Sequence, residues 1–289
     1  MLGIPVAEVT PQVGSTDLTP NGMGVWADRG MIMGGTAAAR AAEDLKTTLQ
    51  KLAAPFLEVD PDEIRFANNQ AYEQDSPSNS KPIPELAHSA TYGSASNRPA
   101  EFADGVSLVG RAKFESRPTE AELDIETGYG DISHSYTFGA LAFRVAVDTT
   151  TGEIDVTDVA FAEDAGTIIN PDMVEGQIQG GIVQGLGEAL YEEYRYDESG
   201  LLMNGSMIDY HLPTAADIPL VQSEDIQEIE SPCGNAAHGQ KGVGESSIAG
   251  TAAAVANAVS DATGLAANEL PLTTEKTLVA LVENDLRTL

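Results

Sequence analysis

The sequence predicts an α+β fold of mixed sheets with packed helices. Three observations support it. Apolar residues recur at spacings of three and four in several segments, the period of a helix with one buried face. Elsewhere they alternate with other residues, the period of a half-buried strand. The two kinds of segment follow one another irregularly, not in the regular alternation that builds a parallel sheet.

From Gly35 the pattern is helical, with Ala38, Ala42, Leu45, Leu49 and Leu52 on one face. Pro55 lacks a backbone N–H, so it interrupts or ends this helix. Residues 74–105 are rich in Ser, Pro and Asn and read as a long connection, with at most a short helix around Pro84 to His88. Val106 to Phe114 is a candidate strand. Leu141, Phe143, Val145 and Val147 mark another, and Ile154 to Phe161 is its return strand across the turn residues Asp148 to Gly152. A helix then starts with Asn170 as cap and Pro171 in its first position, with Asp172 and Glu175 at the positive end of its dipole. It runs to about Tyr194 and carries Val174, Ile178, Ile182, Leu186 and Leu190 as its apolar stripe. The last long helix begins near Glu245, buries Ile248, Ala252, Val255, Val259 and Ala262, and stops at Gly264, a normal C-cap residue. Leu278 to Leu286 reads as a short terminal helix.

Composition bounds the function. A chain of 289 residues, 42% of them hydrophobic, can fill one large core or two smaller ones. No stretch approaches the roughly 20 apolar residues of a membrane span. Met1 to Pro5 is no secretory signal, so the expected location is cytoplasmic. Asp and Glu number 45 against 15 Lys and Arg, a net charge of -30 that repels nucleic acid and anionic lipid. Because the acids are spread along the chain, they read as a hydrated, halophilic surface; an acidic patch for a basic partner is the other reading. The single cysteine, Cys233, excludes a disulfide and a thiolate-held metal cluster within the chain. The histidines His88, His134, His211 and His238 are scattered, and no side chain is expected to ligate a metal.

Three segments can carry chemistry. The helix Gly176 to Gly187 holds five glycines in twelve residues, each costing on the order of 1 kcal/mol relative to alanine. Gln177, Gly181, Gln184 and Glu188 share one face. That face suits a flat polar ligand, or else the glycines serve close helix packing with the glutamines in solvent. The second segment, Gly234 to Ser247, is a glycine-rich loop leading into a helix, where unpaired N–H groups favour an anion or a polar ligand edge. It fits neither a P-loop nor a dinucleotide fingerprint. Glu245 at the helix start is either a general base or a plain N-terminal glutamate. The third segment, Gly22 to Gly30, contains the only tryptophan, Trp26, which by spacing alone is a packing residue.

Together and in order, these segments resemble the xanthine dehydrogenase, aldehyde oxidase and carbon monoxide dehydrogenase family. The likeness is to the C-terminal part of the molybdopterin-binding large subunit. It rests on Leu2 to Pro5, Thr16 to Pro20, Phe138-Gly139-Ala140, Val147-Asp148, Gly166 to Pro171, Gly176 to Gly187, Asp209-Tyr210 with Pro213, Asp217 to Pro219 and, most specifically, Lys241-Gly242-Val243-Gly244-Glu245. The resemblance implies that residues 1–130 form the first part of the molybdopterin-binding region, with a long loop, and 131–289 its C-terminal subdomain. It implies Glu245 as the catalytic base in oxidation of an aldehyde, a purine-like heterocycle or CO with oxygen from water. Gln177 would hydrogen-bond the pterin, Ala27 would lie near the metal with Arg29 beside it, and Lys241, Gly242, Val243 and Gly244 would present backbone groups to the cofactor. That cofactor is molybdenum-molybdopterin, its cytosine dinucleotide form being one option. Iron–sulfur and FAD groups would sit on partner chains, and a further chain would supply the upstream half of the large subunit. Asp28 and Gly30 depart from the pattern, since the family usually has serine-like residues there. The alternative reading is a truncated, non-catalytic remnant or scaffold that keeps the fold.

Overall fold

The computed structural model describes all residues except 18, 20, 23, 94–97, 115–123, 131, 132, 134, 220 and 287–289. His134 and Pro20, named above, and Leu18 and Met23 within the ranges given above, lie outside the described residues. The chain divides into two compact units, Met1–Val25 with Met33–Ser116, and Trp26–Ile32 with Arg117–Leu289. None of the described helices is long and apolar enough to cross a membrane.

The first unit is built on helix α1 (Thr36–Leu57), strands β1 (Ile64–Ala67), β2 (Gln70–Glu73) and β3 (Ser76–Pro82), and helix α2 (Ile83–Tyr92). The strands form an antiparallel meander in sequence order. Its first turn is Asn68-Asn69, both with positive φ, the conformation a two-residue hairpin loop needs. Leu52, Leu57, Ile64, Ala71 and Leu86 close the core. Several expectations change here. Ala38 is exposed and Ala39 buried, because the chain enters α1 through a π-helical stretch, Gly30–Gly35, whose wider turns shift the inward face. Pro55 does not break α1. It sits in the last turn, and the helix ends when Glu58 turns left-handed at φ 57°. Residues 74–105 are no long connection, since they hold β3 and α2. Val106 to Phe114 is not a strand. Its N–H groups are taken elsewhere, Val106 by Ala90 O at 3.3 Å and Arg111 by the Asp44 carboxylate at 3.1 Å, which leaves no ladder to form.

The second unit contains strands β4 (Gly139–Val147), β5 (Ile154–Asp164) and β6 (Ile226–Ile229), with helices α3 (Pro171–Leu190), α4 (Ser246–Thr263) and α5 (Thr274–Glu283). The β4–β5 hairpin forms as expected, antiparallel, with a bulge at Arg144/Val145. β6, which the sequence did not mark, adds to β5 in parallel. Asn170 Oδ1 accepts the Met173 N–H at 3.3 Å and starts α3. Val174, Ile178, Ile182, Leu186 and Leu190 are all buried and meet Val156, Val159, Phe161 and Val255 in one core. α3 stops at Leu190, short of Tyr194, because Tyr191 and Glu192 both donate to Gly187 O and close its end. α4 ends at Gly264, which has φ 76°. Ala262 in its last turn is exposed, beyond the reach of the core that holds Val255 and Val259. α5 covers Thr274–Glu283, where Leu278 to Leu286 was expected, because Thr273 caps it by accepting the Lys276 N–H.

Candidate functional site

The glycine loop before α4 is anchored by its lysine. Lys241 Nζ lies 2.5 Å from Asp164 Oδ2, and the two side chains are only 9% and 12% exposed. The Lys241 N–H donates to Ala165 O at 3.1 Å. Asp164 also accepts the N–H groups of Gly166 and Ser231. Burial pushes the Asp164 carboxyl up, but these hydrogen bonds and the lysine charge outweigh it and hold it below the usual carboxylate range. Upstream, buried Gln240 donates to Met31 O and accepts from His238 N, and Thr137 Oγ1 donates to Gly242 O at 2.6 Å. Lys241 therefore faces inward as a tether.

The loop meets the segment after Val25. Ala27 and Asp28 have φ of 52° and 57°, left-handed values that non-glycine residues adopt only when surroundings hold them. A Cβ at Gly242 would overlap Asp28 Cβ and lie 2.8 Å from its carbonyl oxygen. At Gly244 a Cβ would lie 2.8 Å from Gln177 Oε1 and 2.9 Å from Asp28 Oδ1. The structure thus brings Ala27, Asp28, Gln177, Gly242, Gly244 and Glu245 to one place. The Asp28 carboxylate lies beside the backbone of Gly244 at the start of α4. Burial pushes that carboxyl up, and the Glu245 charge adds to the push. Arg29 lies 5.1 Å from the Trp26 ring, and its buried Nε has no hydrogen-bond partner among the described residues. Trp26 is 57% exposed, so it is not the packing residue expected of it. Glu245 occupies the N-cap position of α4, is exposed, and makes no capping bond. It opens on a cleft of about 290 Å³ whose lining includes Ala27, Asp28, Thr137, Gly242 and Ser246.

Helix α3 satisfies both readings of its glycines at different positions. A Cβ at Gly181 would strike the Ser247 side chain of α4, and one at Gly185 would lie 2.5 Å from Thr251 Cβ. Those two glycines serve helix packing. Gly176 and Gly180 have nothing within 4 Å, and Gln177 between them is exposed. Gln184 and Glu188 are exposed farther along, His238 is exposed, and Cys233 is buried.

One charged residue escaped the sequence reading. Glu163 is 0% exposed, with one oxygen hydrogen-bonded to Ser246 Oγ and the other lacking a partner among the described residues. Burial pushes its carboxyl up to about 7, the charges of Asp28, Glu228 and Asp164 add to this, and Ser246 opposes it. The signal was present. Val159 and Phe161 face the core, and Glu163 continues their alternation on the same face. Among the described residues no group of three or more His, Cys, Asp or Glu is arranged to hold a metal ion.

Residues 1–219 match the family model of the molybdopterin cofactor-binding domain. Over 97% of its length the chain is 34% identical to the nicotine 6-hydroxylase large subunit of Paenarthrobacter nicotinovorans, of which it covers 32%. Over 90% it is 30% identical to the carbon monoxide dehydrogenase large chain of Afipia carboxidovorans, covering 29% of that protein. Among solved structures, a Cu,Mo-CO dehydrogenase superposes with a TM-score of 0.81 at 27% identity, over 99% of this chain and 34% of that one. Quinoline 2-oxidoreductase from Pseudomonas putida 86 gives 0.76 at 29% identity, over 92% of this chain and 32% of its own. The chain spans about a third of the length of these relatives. It belongs to the xanthine dehydrogenase, aldehyde oxidase and carbon monoxide dehydrogenase family, as a molybdopterin-binding part of the large subunit.

Proposed function

We propose that this chain contributes to the catalytic large subunit of a molybdenum hydroxylase, with Glu245 as its base. The observation that carries this reading is the position of Glu245. It stands exposed at the start of α4, over a cleft, on a loop tethered by the buried Lys241–Asp164 pair. A base must reach the proton it takes, and an exposed carboxylate over a cleft meets that need.

The fit of the cofactor to these residues divides in two. Exposed Gln177 beside the open Gly176 and Gly180 fits a flat polar group, since an amide can both donate and accept. Ala27 is exposed and small enough for close approach. The start of α4 fits a further anion poorly as it stands, because the Asp28 carboxylate lies beside it. A molybdenum-molybdopterin, in its cytosine dinucleotide form or without it, supplies the two-electron redox chemistry. Gln177 would hydrogen-bond its pterin, Gly242, Val243 and Gly244 would shape the loop at its edge, and Lys241 fixes that loop. Arg29 sets the segment that carries Ala27. Glu245 accepts the proton released when water becomes the oxygen donor.

One cysteine cannot hold a cluster within this sequence, so iron–sulfur and FAD groups that would take up the electrons would sit on partner chains. One relative carries the name of a dehydrogenase complex subunit, which agrees with a multi-chain assembly. The rest of the large subunit closes the pocket, excludes water and selects an aldehyde, a purine-like heterocycle or CO. The complex works in the cytoplasm without nucleic acid or membrane partners. The second reading, a non-catalytic scaffold, is favoured by Asp28 alone.

Co-purification with companion chains, followed by molybdenum analysis and dye-linked oxidation of aldehyde and CO, separates the two. A complex without molybdenum sinks the catalytic reading. With metal present, Glu245→Gln should abolish turnover and leave the metal content intact. Unchanged turnover removes Glu245 from the role.

A further inference from the structure

A neutral carboxyl buried from water must place its proton on an acceptor. Glu163 is 0% exposed, and its two oxygens differ. One is bonded to Ser246 Oγ, and the other has no partner among the described residues. A proton on the second oxygen would meet no acceptor there, whereas on the first it is donated to Ser246. Ser246 is the first residue of α4, directly after Glu245. Its hydroxyl has one hydrogen to give and two acceptors in reach, Glu163 Oε1 and Val243 O. Val243 O stands 3.3 Å away, beyond the roughly 2.5–3.0 Å of a full hydroxyl bond, so in this structure Glu163 holds the hydrogen more closely. A full bond from Ser246 to Val243 O would close a turn around Gly244 and Glu245, the residues between them.

We propose that Glu163 is a positioning residue for Glu245 and acts through the Ser246 hydroxyl. An ionised Glu163 takes the Ser246 hydrogen and draws it away from Val243 O. A neutral Glu163 donates its own proton to Ser246 Oγ, and Ser246 turns its hydrogen to Val243 O, which fastens the turn that carries Glu245. One proton enters or leaves, and nothing else is exchanged. The rearrangement is a property of this chain; that it serves a base rests on the function proposed above. Negative groups face Glu163 from three sides, Asp28 from the segment before α1, Asp164 from β5 and Glu228 from β6. α4 and β4 present Ser246 and Gly139, neither charged, and the nearby Lys241 is held by Asp164. Burial and these charges, against the Ser246 bond, raise the Glu163 carboxyl to about 7, where both states are populated near neutrality.

The test follows two NMR signals of the full chain between pH 5 and pH 9. One is the Glu163 carboxyl carbon. The other is the Gly244 amide nitrogen, which reports hydrogen bonding to the Val243 carbonyl before it. In the native chain Gly244 should shift with the same midpoint as Glu163. In Glu163→Gln, whose amide donates to Ser246 as the neutral carboxyl does, that inflection should be absent and Gly244 held on its acid side. In Ser246→Ala the Glu163 carbon should still titrate, while the Gly244 shift that follows it is lost. Ser246→Gly replaces the alanine variant if that does not fold. Asp28 lies beside Gly244, and its own carboxyl carbon separates its titration from that of Glu163. A native Gly244 that ignores the Glu163 midpoint overturns the proposal. So does a shift at that midpoint that survives removal of the Ser246 hydroxyl, since charge acting through space would then explain it. If Gly244 behaves as stated while the assembled complex contains no molybdenum, the proposed function fails and the positioning role stands. If Gly244 fails while Glu245→Gln abolishes turnover, the reverse holds.

Discussion

Glu163→Gln isolates the electrostatic cost of the carboxyl beneath α4. The folded chain raises this carboxyl from an ordinary 4.5 to about 7. A raised midpoint means that the folded state keeps a proton the unfolded chain has lost. Its stabilising contribution is present below 4.5 and disappears as pH rises through about 7. At 1.36 kcal/mol for each tenfold change in acidity, the full loss is about 3.4 kcal/mol. About 0.8 kcal/mol of it is gone by pH 5 and about 3.3 kcal/mol by pH 8. Glutamine has the same shape and does not titrate. Urea unfolding of both proteins at pH 5 and pH 8 should therefore show the variant gaining about 2.5 kcal/mol on the native chain. Taking the difference between proteins cancels the other carboxylates, including Asp28, Asp164 and Glu228. A difference that stays constant between the two pH values refutes the reasoning, because Glu163 would then be ionised or neutral throughout.

Four other perturbations follow from the packing and the charge. Lys241→Met strips the partner from nearly buried Asp164 and should destabilise the chain by about 3–5 kcal/mol in denaturant unfolding. Because the Asp164 carboxyl is lowered, the native pair's contribution is present above the ordinary range and fades as pH falls through its folded midpoint, so the gap between the two proteins should narrow in acid. Gly185→Ala pushes a methyl against Thr251 and should cost about 1–3 kcal/mol. Gly180→Ala meets open space in a helix interior and should instead stabilise by about 0.5–1 kcal/mol; thermal unfolding of the pair checks the sign. A net charge of -30 repels itself in the compact state, so the melting temperature should rise between 0.1 M and molar salt as screening shortens. A melting temperature that ignores salt removes the halophilic reading of the acidic surface.

Features that depend on near neighbours were legible along the chain. The β4–β5 hairpin follows from period-two residues around a turn, and α3 and α4 from Asn170, Pro171 and Gly264 around helical stripes. The first sheet left a smaller trace, Asn68-Asn69 between two four-residue strands, too short for periodicity to show. Ordered motifs also carried the family and singled out Gln177 and Glu245. Which distant neighbour each residue meets came from the packing of the whole fold. Gly181 and Gly185 face α4 while Gly176 and Gly180 face open space, though all four look alike in the sequence. Lys241 turns inward to Asp164, and Glu163 loses its water because β5 carries it into the core. Asp28 is brought beside Gly242 and Gly244 at the start of α4 across more than two hundred residues of chain. Burial and charge at a point depend on every element that converges there, and no local pattern records that convergence.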